Sequence, residues 1–161
     1  EEAGPLHAPR RCRRGFPHAL DAQGLLAQVK AIADTGFLVA FLNRRDQHHA
    51  WALALAGEVV EPLLTCEAVL SEAAFHVKSA GLVLELVEQG LVCLAFDARK
   101  HLKELRKLAA RYADRQPDFA DLCLVRMSEL NPKHAVITVD TRDFGVYRRN
   151  GRNAIPLITP T

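Results

Sequence analysis

The chain has 161 residues, which is enough for one compact domain with a sizeable core but too few for two full domains joined by a linker. Hydrophobic residues make up 49% and charged residues 25%, which excludes an intrinsically disordered chain, and no apolar stretch reaches the length needed to cross a bilayer. The formal net charge of +2 neither favours nor excludes a nucleic-acid partner.

The first part of the chain lacks the periodicity of a folded segment. Residues 1–27 combine prolines, glycines and an arginine cluster without a helical or alternating apolar pattern, which predicts a flexible N-terminal extension before a domain at 28–161. The arginines suit contact with nucleic acid, although a solvated extension explains them more simply. No apolar segment follows them as a signal peptide requires, so a cytoplasmic location without membrane association is expected.

The remainder alternates short apolar runs with amphipathic patterns, as parallel α/β folds do. Helices are predicted through the apolar residues near 37–41 and over 46–59, 67–78, 82–88, 97–117 and 118–130. Strands are predicted at 29–33, 63–65, 91–96, 135–138 and, as an edge strand, 155–158. The predicted fold class is therefore a three-layer αβα sandwich with a central parallel sheet of four to five strands. The cysteines show no CxxC spacing, and those in apolar runs are interpreted as reduced core residues: Cys66, Cys93 and Cys123.

Two acids interrupt apolar runs directly after predicted strands. Asp34 stands in KAIADTGFLVAFL and Asp140 in AVITVDTRDF, and a threonine follows each of them. An ionised carboxylate is costly to bury unless a cation or strong hydrogen-bond donors compensate it. Because the carboxyl ends of parallel strands line one crevice, both acids are expected to face a common site. Helix capping by either aspartate is the simpler alternative and stays open.

Further acids lie in the predicted helices. Glu72 is embedded in TCEAVLSEAAF, whereas the helix dipole explains Glu67 near the start of that segment. Asp118 and Asp121 stand three residues apart in DFADLCLVRMSEL and therefore share one helix face. Asp121 has apolar neighbours and is expected to be the more buried of the two, while Asp118 is the better N-cap.

A cluster of such acids requires a counter-charge. The convergent carboxylates would repel one another strongly, and no Lys or Arg stands directly beside any of the four acids in these segments. Oxygen-only donors suit Mg²⁺ or Mn²⁺, which are commonly held by carboxylates together with substrate phosphate. The chemistry that this favours is phosphodiester hydrolysis by metal-activated water.

Four stretches resemble the successive motifs of the PIN-domain family, in the family's order: ADTGFLVAFLNRRDQHHAWAL, PLLTCEAVLSEAAF, YADRQPDFADLCLVRMSEL and VITVDTRDFGVYR. The resemblance is closest to the VapC-type toxins of bacterial toxin–antitoxin pairs. It implies an αβα sandwich and Mg²⁺- or Mn²⁺-dependent cleavage of single-stranded RNA. It also implies a cognate antitoxin protein as partner and a homodimer formed through the helices.

The resemblance further implies roles for individual residues. Glu72 would position water or a second ion, while three aspartates would hold one metal ion, so that the catalytic and metal-binding acids are Asp34, Glu72, Asp121 and Asp140. Supporting positions that match the family are Thr35, Thr138, Asp118 and Asp143.

Basic residues near the last acidic motif are candidates for RNA phosphate contacts, although a solvated basic turn explains them equally well: Arg142, Arg148 and Arg149. A loop followed by a helix start explains the polar group Asp46, His48 and His49 without chemistry.

The leading hypothesis is an endoribonuclease that acts as a toxin. Two alternatives stay open. The first is a PIN-fold RNA-binding or assembly module without turnover, and the presence of all four acids argues against it. The second is an RNA-processing nuclease with no toxin role, which would use the same chemistry.

Overall fold

The computed structural model of the protein describes residues 30–59 and 61–161. The predicted flexible extension at 1–27 lies outside these residues. Within them, short strands alternate with helices along the chain. The strands are β1 (Ala31–Ala33), β2 (Leu63–Thr65), β3 (Val92–Leu94), β4 (Ala135–Ile137), β5 (Arg148–Arg149), β6 (Asn153–Ala154) and β7 (Leu157–Ile158).

Helices connect the strands of the main sheet. They are α1 (Thr35–Leu42), α2 (His49–Glu58), α3 (Glu67–Val77), α4 (Ala80–Glu88), α5 (Leu102–Arg111), α6 (Phe119–Leu130) and α7 (Thr141–Phe144). Two 3₁₀ turns flank α5, at Ala98–His101 and Ala113–Arg115. No described helix is both long and apolar enough to span a bilayer.

Five strands form one parallel sheet in the order β3-β2-β1-β4-β7. Its central strand β1 is buried along its whole length, because helices cover a parallel sheet and leave no solvated face to its inner strands. Ile32 lies at the centre and pairs with Leu64 on one side and Val136 on the other. The predicted fold class, an αβα sandwich around a parallel sheet, is confirmed.

Apolar side chains from the sheet and the helices form one core. Phe37 and Leu38 of α1 and Leu124 and Met127 of α6 are fully buried against it. Burial of such side chains supplies most of the favourable free energy of folding. Two cysteines, Cys66 and Cys123, are buried in this core as free thiols. Cys93 is only partly buried.

The predicted elements differ most from the observed ones in three places. The helix expected over 97–117 is α5 between two 3₁₀ turns, and Asp97 caps only the first turn, through the backbone N–H of Arg99. The helix expected from Asp46 begins later, because Asp46 accepts a hydrogen bond from the backbone of His48 in a preceding turn. The antiparallel hairpin of β5 and β6 falls where no strand was predicted, since strands of two residues carry no periodic signal.

The strand order reverses direction beside β1. The chain places β2 and β3 successively outward on one side of β1, then returns to place β4 and β7 on the other. In open parallel sheets such a reversal separates the connections that follow the two neighbouring strands and leaves a crevice at their carboxyl ends. Asp34 follows β1 and Asp140 follows β4 within a few residues, so both acids lie beside this crevice.

Candidate functional site

A cleft of about 370 Å³ opens beside the residues that follow β1 and β4. Among the described residues that line it there is no lysine or arginine. It therefore concentrates negative charge at one edge of the sheet. Seven carboxylates line it: Asp34, Asp46, Glu72, Asp118, Asp121, Asp140 and Asp143.

Asp34 is the most buried of these acids and both of its oxygens are oriented. It is 8% exposed, and it caps α1, with Oδ1 accepting the backbone N–H of Thr35 at 2.6 Å. Its Oδ2 accepts the hydroxyl of Thr138 at 2.7 Å. Since each carboxylate oxygen has two lone pairs, both oxygens keep the capacity to accept a further ligand. Capping and participation in the cleft are thus compatible for Asp34.

Thr138 connects the two strand ends. Its hydroxyl oxygen also accepts the backbone N–H of Asp140 at 2.9 Å while its proton goes to Asp34. The side chain of Asp140 caps α7 by accepting the backbone N–H groups of Arg142 and Asp143. A fully buried threonine therefore fixes the loop that carries one acid against the carboxylate of the other.

Glu72 reaches the cleft from α3. Its Oε2 accepts the hydroxyl of Thr35 at 2.9 Å, while the backbone N–H of the same threonine binds Asp34. The apolar face of α3, with Val69 and Ala73 fully buried, packs into the core and leaves Glu72 half-buried at the cleft. Thr35 consequently sets the spacing between Asp34 and Glu72.

Asp121 enters from the first turn of α6. Its Oδ2 accepts the phenol hydroxyl of Tyr147 at 2.9 Å. Its backbone N–H donates to Oδ1 of Asp118, the N-cap of this helix. Asp118 is exposed and Asp121 half-buried, as the apolar neighbours of Asp121 predicted. Asp118 is therefore both a helix cap and a cleft residue.

Burial and mutual repulsion change the protonation of three acids. Burial raises the pKa of Asp34 to about 6, and the charges of Glu72 and Asp118 add to the effect. Burial and the charge of Asp118 raise the pKa of Asp121 to about 7. The pKa of Glu72 is also raised, again mainly by burial. At neutral pH these carboxylates are ionised only at a cost in free energy that a cation would remove.

The donor set fits a hard divalent cation. Among the described residues, no three His, Cys, Asp or Glu side chains are gathered as a complete binding group. Mg²⁺ does not require one, because it keeps several waters and is usually held by one or two carboxylates and substrate phosphate. The cleft offers oxygen donors with raised pKa values, and the part of the chain that the structure describes contributes no Lys or Arg to its lining. These residues therefore match the chemistry of Mg²⁺ or Mn²⁺.

The supporting acid Asp143 and the nearby arginines are placed differently relative to the cleft. Asp143 lines the cleft, and Arg115 approaches its Oδ1 at 4.0 Å. Arg142 is exposed beside it, whereas Arg148 donates to three carbonyl oxygens at the end of α7. Arg149 is only 7% exposed.

Arg149 holds the hairpin to the loop after α6. Its guanidinium donates to the carbonyl oxygens of Pro132 and His134. The expectation that Arg149 contacts an RNA phosphate therefore conflicts with its placement, because a buried guanidinium engaged with two carbonyl groups is not accessible to a phosphate.

The sequence interpretation missed two polar residues of the cleft and one residue that contacts a cleft acid. Asp46 was interpreted as a turn residue and does hold a turn, but it also lines the cleft. His76 lies one helical turn after Glu72, and this spacing of four residues was a usable signal. Tyr147 had no signal, because its contact with Asp121 depends on the hairpin region folding back over α6.

A parallel α/β fold with acids gathered at its strand ends places the chain among domains that use a carboxylate cleft. The family model described as PIN domain matches residues 31–150, more than half of the chain, and the chain therefore belongs to the PIN-domain family. PIN domains are generally nucleases. No curated protein matches the chain closely enough to indicate a relative.

Proposed function

We propose that this PIN domain is a metal-dependent endoribonuclease that hydrolyses RNA phosphodiester bonds. One observation carries the proposal: three acids from three separate elements, Asp34, Glu72 and Asp121, share one cleft and have raised pKa values, and no Lys or Arg is among the described residues that line it. Such an arrangement is costly to fold unless a ligand brings positive charge. It supports an active site more than a structural cluster.

The residues have distinct roles in this proposal. Asp34, Asp121 and Asp140 would hold Mg²⁺ or Mn²⁺. The ion would supply a Lewis acid that activates water and neutralises charge on the scissile phosphate. Glu72 positions the attacking water and accepts its proton at Oε1, the oxygen that does not bind Thr35. The pKa of Glu72 is raised towards neutral pH, and a carboxylate whose pKa is nearer the working pH is a better general base.

Hydroxyl groups hold these acids in place. Thr138 orients Asp34, Thr35 orients Glu72, and Tyr147 orients Asp121, each through a hydrogen bond to one carboxylate oxygen. Such outer contacts fix a ligand's direction and tune its basicity. The two threonines are fully or almost fully buried, so solvent does not compete for their hydroxyl groups.

The biological role that we propose is that of a toxin controlled by a cognate antitoxin protein. The resemblance of the motifs to VapC-type toxins supports it. Exposed leucines on two helices, Leu53 on α2 and Leu82 and Leu84 on α4, supply apolar surface for an antitoxin or for a homodimer formed through the helices. The proposed location is the cytoplasm, where the buried thiols of Cys66 and Cys123 would stay reduced.

Cleavage of labelled single-stranded and structured RNAs by the purified protein tests the activity. Reactions contain Mg²⁺, Mn²⁺ or excess chelator, and the wild type is compared with Asp34→Asn. Asparagine caps a helix as well as aspartate, so this variant keeps α1 capped and removes the charge. We expect metal-dependent cleavage that Asp34→Asn lacks.

Asp97→Asn is the matched control, because Asp97 also caps a turn through its carboxylate but does not line the cleft. It should cleave like the wild type. Metal binding and RNA binding without cleavage by any protein would instead assign an RNA-binding or assembly module. Cleavage without growth inhibition on expression in a bacterial host would favour an RNA-processing nuclease.

A further inference from the structure

The acidic cleft cannot by itself attract RNA. Seven carboxylates line it, and both the phosphate backbone and the cleft are negatively charged. A bound divalent ion offsets part of this repulsion but contacts only the phosphate beside it. Affinity for the rest of the strand must come from groups outside the cleft. Base stacking is suited to this task, because an aromatic face binds a base without attracting or repelling its phosphate.

The exposed aromatic side chains are found beside the cleft. Among the described residues, the large aromatic side chains that are exposed are Phe75, at 80%, and Phe119, at 53%. Phe75 immediately precedes the cleft residue His76, and Phe119 immediately follows the cleft residue Asp118. Every other Phe, Tyr or Trp of the described chain is buried or half-buried. Within residues 30–59 and 61–161, exposed Phe, Tyr or Trp rings are thus confined to two positions that neighbour cleft residues in the chain.

The two positions lie on helices that pack against each other. Phe75 is on α3, the helix of Glu72, and Phe119 is the first residue of α6, the helix of Asp121. The ring of Phe75 meets the ring of His76 edge-on, with centroids 5.7 Å apart and planes at 75°. This contact holds Phe75 against a cleft residue while most of its surface stays open to solvent.

We propose that Phe75 and Phe119 form a base-stacking site that binds unpaired bases flanking the scissile phosphate of single-stranded RNA. The proposal rests on the proposed function for the identity of the ligand. Bases in a duplex are already stacked on each other and do not offer their faces, so the site selects single strands, loops and ends. It binds with little sequence preference, because every base has a π-face.

Binding of uncut RNA tests the site separately from catalysis. A short fluorescent single-stranded RNA is titrated, with Mg²⁺ present, into Asp34→Asn protein carrying Phe75→Ala, Phe119→Ala or both, and fluorescence anisotropy gives Kd. Each alanine should raise Kd about 5- to 100-fold, the range of base–aromatic stacking. Phe75→Trp should keep the affinity, because tryptophan retains an aromatic face. In the otherwise wild-type protein, the alanine variants should raise KM and leave kcat nearly unchanged.

Two comparisons separate stacking from loss of apolar surface. Leu102→Ala is the matched control, since Leu102 is 56% exposed on α5 and its neighbours do not line the cleft. It should leave Kd unchanged. An abasic nucleotide at the position whose base stacks on Phe75 should weaken binding to protein that has Phe75. It should have no further effect on binding to Phe75→Ala.

Different results would overturn the site or the catalytic proposal independently. Wild-type Kd values in both alanine variants would overturn the stacking site even if the protein cleaves RNA. A lower molecular mass of Phe75→Ala in sedimentation would assign Phe75 to a subunit contact and also overturn it. Protein that binds single strands through Phe75 and Phe119 but cuts none would support the site and refute the nuclease.

Discussion

Asp34 and Asp140 each follow a strand in the middle of the parallel sheet, each precede a threonine, and each cap the helix that comes next. Their surroundings nevertheless differ. Asp34 is 8% exposed and a second hydrogen bond, from Thr138, holds its other oxygen. Asp140 is exposed, and its donors among the described residues are the backbone N–H groups of Arg142 and Asp143 in its own helix.

This difference shows that a helix cap and a candidate ligand are not exclusive roles. Asp34 caps α1 through Oδ1, and the same carboxylate lies in the cleft with its charge shielded from solvent. A buried charge interacts more strongly with a cation than an exposed one, because the surrounding dielectric is lower. Asp34 should consequently contribute more to ion binding than Asp140, although the two share the same local sequence.

Removing each charge in turn tests this ranking directly. Asp34→Asn should lower kcat/KM by about 10²- to 10³-fold, because several kcal/mol of charge stabilisation are lost. Asp140→Asn should cost about tenfold, because solvent already screens its charge. Both asparagines preserve the caps, so circular dichroism should show unchanged helix content. Cleavage rates at several Mg²⁺ concentrations measure the effect, and equal losses in the two variants would contradict the ranking.

Thr138 links the two aspartates, and its replacement should affect both. Thr138→Val keeps the shape of the side chain but removes the donor to Asp34 and the acceptor for the backbone of Asp140. We expect about 10- to 100-fold weaker metal binding, the usual cost of losing an outer-shell contact. Isothermal titration with Mn²⁺ measures it.

Thr65→Val is the control for Thr138→Val. Thr65 is equally buried, but its hydroxyl donates to the backbone carbonyl of Ala33 and not to a carboxylate. A similar loss of metal binding in Thr65→Val would mean that the effect of Thr138→Val reflects a disturbed sheet.

The fold and the possible helix caps at Asp34 and Asp140 could be predicted from the sequence. The strand predicted at 63–65 matches β2, and the αβα sandwich follows from alternating apolar runs and amphipathic helices. Helix capping by Asp34 and Asp140, which the sequence left open as the simpler alternative, is observed at both positions. This alternative was visible in the sequence because a cap depends on residues within one helical turn.

The apolar run around Asp34 predicted that this carboxylate is buried, but it did not predict its hydrogen-bond partner. That partner is Thr138, which is 104 residues away along the chain and is brought close by a sheet order that places β4 beside β1. The contact between Tyr147 and Asp121 has the same origin, because it joins the segment after α7 to the first turn of α6. Periodicity indicates which face of an element is apolar, but it does not indicate which distant side chain meets that face.

The pH dependence of stability should distinguish the buried aspartate without any RNA. The pKa of Asp34 is raised from its ordinary value of about 3.9 to about 6, so the folded state holds its proton more tightly than the unfolded state. The free energy of unfolding therefore falls as pH rises from about 4 to about 6, by at most about 3 kcal/mol from this residue. Asp34→Asn lacks this loss.

Urea denaturation in excess chelator at pH 5 and pH 8 measures it. From pH 5 to pH 8 the wild type should lose more stability than Asp34→Asn does. Replacing the chelator by Mg²⁺ or Mn²⁺ should restore the stability of the wild type at pH 8, because the ion binds only the folded state. A difference between the two proteins that does not change with pH would contradict the raised pKa.

Gly36 lies where the two strand ends approach each other. A Cβ at this position would collide with the side chain of Val139, which stands between Thr138 and Asp140. Because a valine side chain has little rotameric freedom, the loop itself must shift. Gly36→Ala should destabilise the protein by about 1–3 kcal/mol and loosen the bond between Thr138 and Asp34. Urea midpoints and Mn²⁺ titration measure the two effects.

Gly57→Ala provides the matched control for Gly36→Ala. Gly57 lies in α2, and a Cβ there meets no atom within 4 Å. Alanine should stabilise that helix by about 0.5–1 kcal/mol, because glycine loses more backbone entropy on folding. If Gly36→Ala lowers the free energy of unfolding and Gly57→Ala raises it, helix propensity does not explain the effect at Gly36. The close approach of α1 to the loop after β4 would then be what holds Asp34 against Thr138. Stabilisation by both alanines would show that this approach can widen without cost to the site.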